Sequence, residues 1–147
     1  MERFNEASKF ANQGSKLAAQ LKYAEALVCY AKAIKTVSDY PPFWSERGEA
    51  FSRNGQYQEA IIDFTEAVYI IDARAADEKE PNNDGYLPFG YEVGYDLDLF
   101  FDRAMAYHCL GNEEACINDL KTAARDGSKA AKSALWAKGI LWSSSRF

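Results

Sequence analysis

The chain lacks any long apolar run. No stretch approaches the roughly 18 consecutive apolar residues of a membrane-spanning helix, and the N-terminus, MERFNEASKF, has no apolar core of signal-peptide type. Cytoplasm is the expected location, with no membrane partner. Cations are the minority charge: 17 Lys and Arg stand against 22 Asp and Glu, for a formal net charge of −5 and a pI near 4.9. This argues against a nucleic-acid partner, since such proteins present a basic patch or stripe. Histidine occurs once, as His108, and cysteine three times, as Cys29, Cys109 and Cys116. An odd number of cysteines on helical stretches reads as buried free thiols. The side chains of His108 and Cys109, being adjacent on a helix, point in different directions, and Cys116 is a helical hairpin away. The roughly four convergent ligands of a structural zinc site are therefore not expected, and neither a metal nor a cofactor is. Gly85, Gly90 and Gly94 lack the G-x-G-x-x-G spacing and the strand–turn–helix context of a phosphate-binding loop.

What is present is an ordinary globular composition with a strong internal pattern. Hydrophobic residues make up 48 %, charged residues 27 % and aromatics 14 % of 147 residues, which fits one folded domain. The initial methionine and an apparent C-terminal cap lead to the expectation of a complete small protein, with an excised piece of something longer as the alternative. Phe43 to Asp72 reads as two amphipathic helices. On the first, Trp44, Arg47, Gly48 and Phe51 share a face at three- and four-residue steps. Asn54-Gly55 is turn chemistry. On the second, Tyr57, Ala60, Ile61, Phe64, Ala67 and Val68 form the apolar stripe. Gly48, Ala60 and Ala67 are small enough for the helices to approach closely.

The same pattern returns on both sides. Phe10, Gly14, Leu17, Tyr23, Ala26, Tyr30 and Ala33 stand 34 residues before Trp44, Gly48, Phe51, Tyr57, Ala60, Phe64 and Ala67. Phe100, Arg103, Ala104, Tyr107, Cys116, Leu120 and Ala123 stand 56 residues after their counterparts. About 22 residues are thus inserted between the second and third units. A hairpin of this kind cannot bury both faces alone, so the three must stack. Glu113 replaces the expected tyrosine of the third unit, which predicts looser packing at that turn. Arg47 and Arg103 occupy matching positions, so a shared structural pairing with a neighbouring helix is expected. Residues 1–6 are expected to be a short frayed lead-in. After Asp126-Gly127, Ser128 reads as an N-cap, and about 129–139 as a capping helix over the last repeat.

With this pattern and period the chain resembles the tetratricopeptide repeat (TPR) family. The likeness covers about 7–72 and 97–127, with units at about 7–40, 41–74 and 97–128 and an insertion at about 75–96. It implies an all-α solenoid of helix hairpins, a right-handed superhelix with a concave groove, and peptide or protein binding by a scaffold or adaptor rather than catalysis. The insertion, and the absence of proline at the end of each unit, depart from the family pattern. Family resemblance also places groove-lining positions at Asn12, Ser15, Ser45, Glu46, Glu49, Arg53, Asp98, Phe101, Asp102, Met105 and His108. One subgroup clamps the C-terminal carboxylate of chaperone peptides with Lys, Asn and Arg. Ala11, Ser15, Glu46, Asp98 and Asp102 stand at those places here, and carboxylates repel a carboxylate. The expected ligand is a basic or amphipathic segment, and the alternative is a solvated polar face without one.

Two stretches stay open. The insertion interleaves Tyr86, Phe89, Tyr91 and Tyr95 with glycine and proline; these rings either pin the loop against the outside of the repeats or cover the groove and touch a ligand. Ile140, Leu141 and Trp142 either fold back on the capping helix or serve as an exposed docking peptide. Self-association through Trp136, Ile140 and Trp142, giving a homo-oligomer, is the alternative function. Asp98 and Asp102 lie one helical turn apart, but acidic residues near a helix start favour the helix dipole, so no enzymatic role is expected of them.

Overall fold

The computed structural model describes residues 1–77 and 98–141. The insertion aromatics Tyr86, Phe89, Tyr91 and Tyr95, and Trp142 in the C-terminal tail, lie outside the described residues. Among these residues seven helices follow in order: α1 (Glu2–Ala19), α2 (Tyr23–Thr36), α3 (Pro41–Arg53), α4 (Tyr57–Asp77), α5 (Leu99–Cys109), α6 (Glu113–Arg125) and α7 (Lys129–Ala137). Among the described residues there is no strand. Each helix packs on the next, and the first helices of successive hairpins also touch, α1 with α3 and α3 with α5. The three first helices therefore form one layer of the stack, and their free faces line its inner side.

The repeated small residues sit at the helix crossings. A Cβ built on Gly48 would lie 2.8 Å from Phe64 Cε1, and one on Gly14 would lie 2.9 Å from Tyr30 Cε1. The third unit solves the same crossing differently, with Ala104 and Leu120 at the equivalent positions, both 0 % exposed. Gly48→Ala is thus expected to cost up to about 2 kcal/mol in chemical denaturation. Overpacking against the buried Phe64 ring, about 1–3 kcal/mol, outweighs the roughly 1 kcal/mol gain in helix propensity. The double variant Gly48→Ala/Phe64→Leu reproduces the third unit's pair and should recover most of that loss; no recovery would show that the crossing is not what excludes the methyl.

The turns within the hairpins show a second substitution between units. Gly55 and Gly111 both adopt φ +79°, in the left-handed region where glycine carries no Cβ penalty, whereas the first unit places Leu21 there at φ +61°. Pro41 and Pro42 open α3 at its first two positions, where a missing N–H breaks no helical hydrogen bond.

The two repeated arginines each grip a carboxylate across their own hairpin. Arg47 donates from Nε to Asp63 Oδ2 at 2.7 Å and from Nη2 to Asp63 Oδ1 at 2.8 Å; Arg103 does the same to Asp119 at 2.7 and 2.8 Å. Arg103 also reaches Thr65 Oγ1 on α4 at 3.1 Å, tying the third unit to the second. Each guanidinium lies over aromatic rings, Arg47 over Trp44 and Phe51 and Arg103 over Phe100. The first unit has Gln13 and Cys29 at these places.

The C-terminal helix covers the last repeat as expected. Ser128 Oγ accepts the Ala131 N–H at 3.1 Å, and Ala131 and Leu135 are fully buried against Ala104, Leu120 and their neighbours. Ile140 packs on the same cluster, whereas Leu141 is exposed. The contact proposed for self-association thus loses Ile140 to the cap, while Trp136 stays 76 % exposed. Two expectations are corrected. The lead-in is helical from Glu2, because Phe4 docks on Tyr40 and Phe43 at ring separations of 5.0 and 6.2 Å. Ser45 is buried at 7 % exposure and does not line an open face.

A candidate groove of converging carboxylates

The inner faces of α3 and α5 bring acidic side chains together across two hairpins. Glu46 and Glu49 come from α3, Asp102 from α5 and Asp98 from the residue that caps it. Burial pushes the Glu46 carboxyl up to about 7, and the Glu49 charge adds to this. Asp102 rises to about 6, again first through burial and then through Asp98 and Glu49. Glu49 therefore acts on carboxyls of both units. Glu46 Oε2 is buried and has no hydrogen-bond partner among the described residues. Glu49 is held by Arg53 at 2.7 Å in an exposed pair, and Asp98 accepts from the Ser128 hydroxyl. Neither Glu46 nor Asp102 is paired with a cation among the described residues. In chemical terms the groove has an unsatisfied demand for positive charge and for hydrogen-bond donors.

Beside Glu46 opens a cleft of about 260 Å³ between the first and second units, walled by Ser15, Tyr30, Glu46, Glu49, Ala50 and Arg53 among others. Tyr30 OH and Ser15 Oγ are 3.1 Å apart and hydrogen-bonded. Of the positions expected to line a groove, Ser15, Glu46, Glu49 and Arg53 meet in this cleft. Asp98 and Asp102 extend the acidic surface toward the third unit. Phe101 and Met105 are half-buried against the third unit's core and are partly used there. Asn12 is exposed but does not line the cleft, and His108 sits at the end of α5 against Glu113.

The structure also brings together residues that the sequence reading kept apart. Donor atoms of His108, Glu113 and Cys116 all lie within 4.8 Å of one another. Cys116, placed a hairpin away by chain order, faces His108 across the α5–α6 turn. The partners of the arginines, Asp63 and Asp119, were likewise missed, although they share the 56-residue offset of Arg47 and Arg103.

Comparison with known proteins agrees with this architecture. Residues 41–73 match the family model described as "Tetratricopeptide repeat". The comparison with curated proteins found no match. Among solved structures, the fold is similar to the N-terminal domain of stress-induced protein-1 from C. elegans, with a TM-score of 0.73 at 12 % identity over 92 % of this chain and 95 % of that one. The Arabidopsis OM64 TPR domain gives 0.70 at 19 % identity over 94 % and 99 %. The first TPR of Spaghetti (RPAP3), bound to the HSP90 peptide SRMEEVD, gives 0.70 at 19 % identity over 92 % of both chains. Matching repeat positions, stacked hairpins and these neighbours together show that the chain carries the tetratricopeptide repeat and has the tetratricopeptide-repeat fold.

Proposed function

We propose that the chain is a non-catalytic interaction module whose inner face binds a basic or amphipathic segment of a partner protein. The observation that carries this reading is a pair of carboxyls without a cation partner among the described residues, Glu46 and Asp102, both acted on by Glu49, with Glu46 Oε2 also lacking a hydrogen bond. A lysine or arginine side chain entering the groove would supply the missing positive charge and hydrogen-bond donors in one step. The peptide on the Spaghetti domain, SRMEEVD, ends in three acidic residues among its last four. Here Glu46, Asp98 and Asp102 would meet such a peptide with like charge. The module is therefore read as distinct from a carboxylate clamp. Its cleft beside Tyr30 and Ala50 is sized for one side chain, which suits a short segment anchored at one point.

Two fluorescent peptides test this. An amphipathic lysine-bearing peptide is expected to bind, and to weaken as salt is raised; SRMEEVD is expected not to bind. The Glu46→Lys/Asp102→Lys variant should lose the basic peptide by at least about tenfold, the effect of roughly 1.4 kcal/mol in binding, while remaining folded. Binding of SRMEEVD by the native chain, with no binding of the basic peptide, would reject the reading.

A further inference from the structure

We infer that His108, Glu113 and Cys116 form a binding site for one divalent transition-metal ion of the zinc class. One donor atom from each lies within 4.8 Å of the other two. Ligands around tetrahedral zinc, at about 2.0 Å for nitrogen or oxygen and 2.3 Å for sulfur, stand about 3.3–3.8 Å from each other. Adjustments of about 1 Å close the set, and the side chains of His108 and Glu113 lie at the surface, where they have room to make them. His108 and Glu113 are half exposed and form the rim, whereas Cys116 is fully buried and forms the floor. An ion would enter from the solvent side and keep one position for water.

Comparison between units provides the independent argument. At the three equivalent positions the first unit has Ala18, Tyr23 and Ala26, and the second has Ser52, Tyr57 and Ala60. The third unit departs from the repeat at all three, each time toward a metal-ligating side chain, and the fold brings the three departures to one point. Packing does not require the thiol, because Ala26 and Ala60 fill the same buried position with a methyl group. Nor does it require the carboxylate, because tyrosine serves at the other turns. A thiolate with an imidazole selects zinc, cobalt, nickel or copper over magnesium and calcium, which need oxygen ligands.

The surrounding charges fit a site of moderate affinity. Glu113 offers Oε1 toward His108, while Oε2 is held by Lys138 Nζ at 2.7 Å. Lys138 can keep that oxygen and orient the carboxylate, or swing into solvent as the ion enters. Binding releases the Cys116 thiol proton to solvent, so the thiolate and Glu113 together balance the divalent charge. This inference does not depend on the groove, and the test below reads it separately.

The test is a Co²⁺ titration of the reduced, chelator-treated full chain, followed by thiolate-to-cobalt charge-transfer absorption. The absorption is expected to saturate at one ion per chain and to disappear when Zn²⁺ is added. Cys116→Ala should abolish it. His108→Ala and Glu113→Gln should each weaken binding by at least the roughly 10–100-fold that loss of a supporting partner costs a metal site. Cys109→Ser, which removes the neighbouring exposed thiol, should change nothing. Absence of the absorption under excess Co²⁺ would overturn the site. So would its loss in Cys109→Ser, or indifference to His108→Ala. The His108 variant alters a half-exposed side chain, so it decides the matter even if Cys116→Ala folds poorly.

Discussion

Replacing Arg47 by alanine is expected to remove about 3–5 kcal/mol of stability, because it strands a buried carboxylate. Asp63 is 1 % exposed, and its two oxygens are both occupied by the Arg47 guanidinium at 2.7 and 2.8 Å. Burial already raises the Asp63 carboxyl above its ordinary value, and Arg47 is what opposes that rise. Without Arg47 the folded chain must keep Asp63 protonated or unfold. The loss should therefore depend on pH. An acid with a raised folded-state pKa costs nothing below its ordinary value, about 3.9, and costs most above the folded-state value. The deficit of Arg47→Ala is thus complete at neutral pH and shrinks as pH falls toward 4. Urea denaturation at pH 7 and pH 5 measures both. The double variant Arg47→Ala/Asp63→Ala should be more stable than Arg47→Ala alone, since no charge is left unpaired. If the single variant unfolds at the same urea concentration as the native chain, the pair contributes nothing to the hairpin. Arg47→Lys should not rescue fully, because an ammonium cannot make the two parallel bonds or stack on Trp44 and Phe51 as the planar group does.

The second large effect belongs to the groove. Glu46 titrates at about 7 against an ordinary 4.5, and Asp102 at about 6 against 3.8. Both are protonated more readily in the folded chain than in the unfolded one. Their penalty is absent below the ordinary values and complete above the folded-state values, so stability should fall as pH rises from about 3.8 to 7. Each tenfold change in proton affinity is about 1.4 kcal/mol, and solvent screening at an open groove leaves about 2–3 kcal/mol for the two groups together. The isosteric variant Glu46→Gln/Asp102→Asn should flatten the profile and be more stable than the native chain at pH 8 by about that amount. A native profile that is level between pH 5 and 8 would show that the carboxyls are not in conflict. The same conflict is what a cationic ligand would relieve, so the basic peptide should bind more tightly at pH 7.5 than at pH 5.

Much of this architecture could be read from residue order. Helical periodicity assigns a residue to a face, and repetition at a constant offset identifies the faces that meet equivalent neighbours. Gly14, Gly48 and Ala104 were placed at crossings in this way, and the turn at Asn54-Gly55, the Ser128 cap and the α7 cover follow from local chemistry. The groove positions on α3 and α5 were assigned by family resemblance; among them Glu49 acts on both Glu46 and Asp102, and Asp98 acts on Asp102. Ser45, on the same helix as Glu46, is buried instead, because α3 packs on helices at both sides and its free arc is narrower than a face count implies.

Residue order alone determined that this chain is a stack of helix hairpins, since small and aromatic side chains returning in step can be satisfied only by equivalent neighbours. Only the tertiary structure decided which side chains from different helices meet: Arg47 with Asp63, Glu49 beside Asp102, and His108 with Glu113 and Cys116. Periodicity constrains angles around one helix axis. Distances between helices depend on how close each crossing is and how tightly each turn closes, and those are settled by packing of the whole stack.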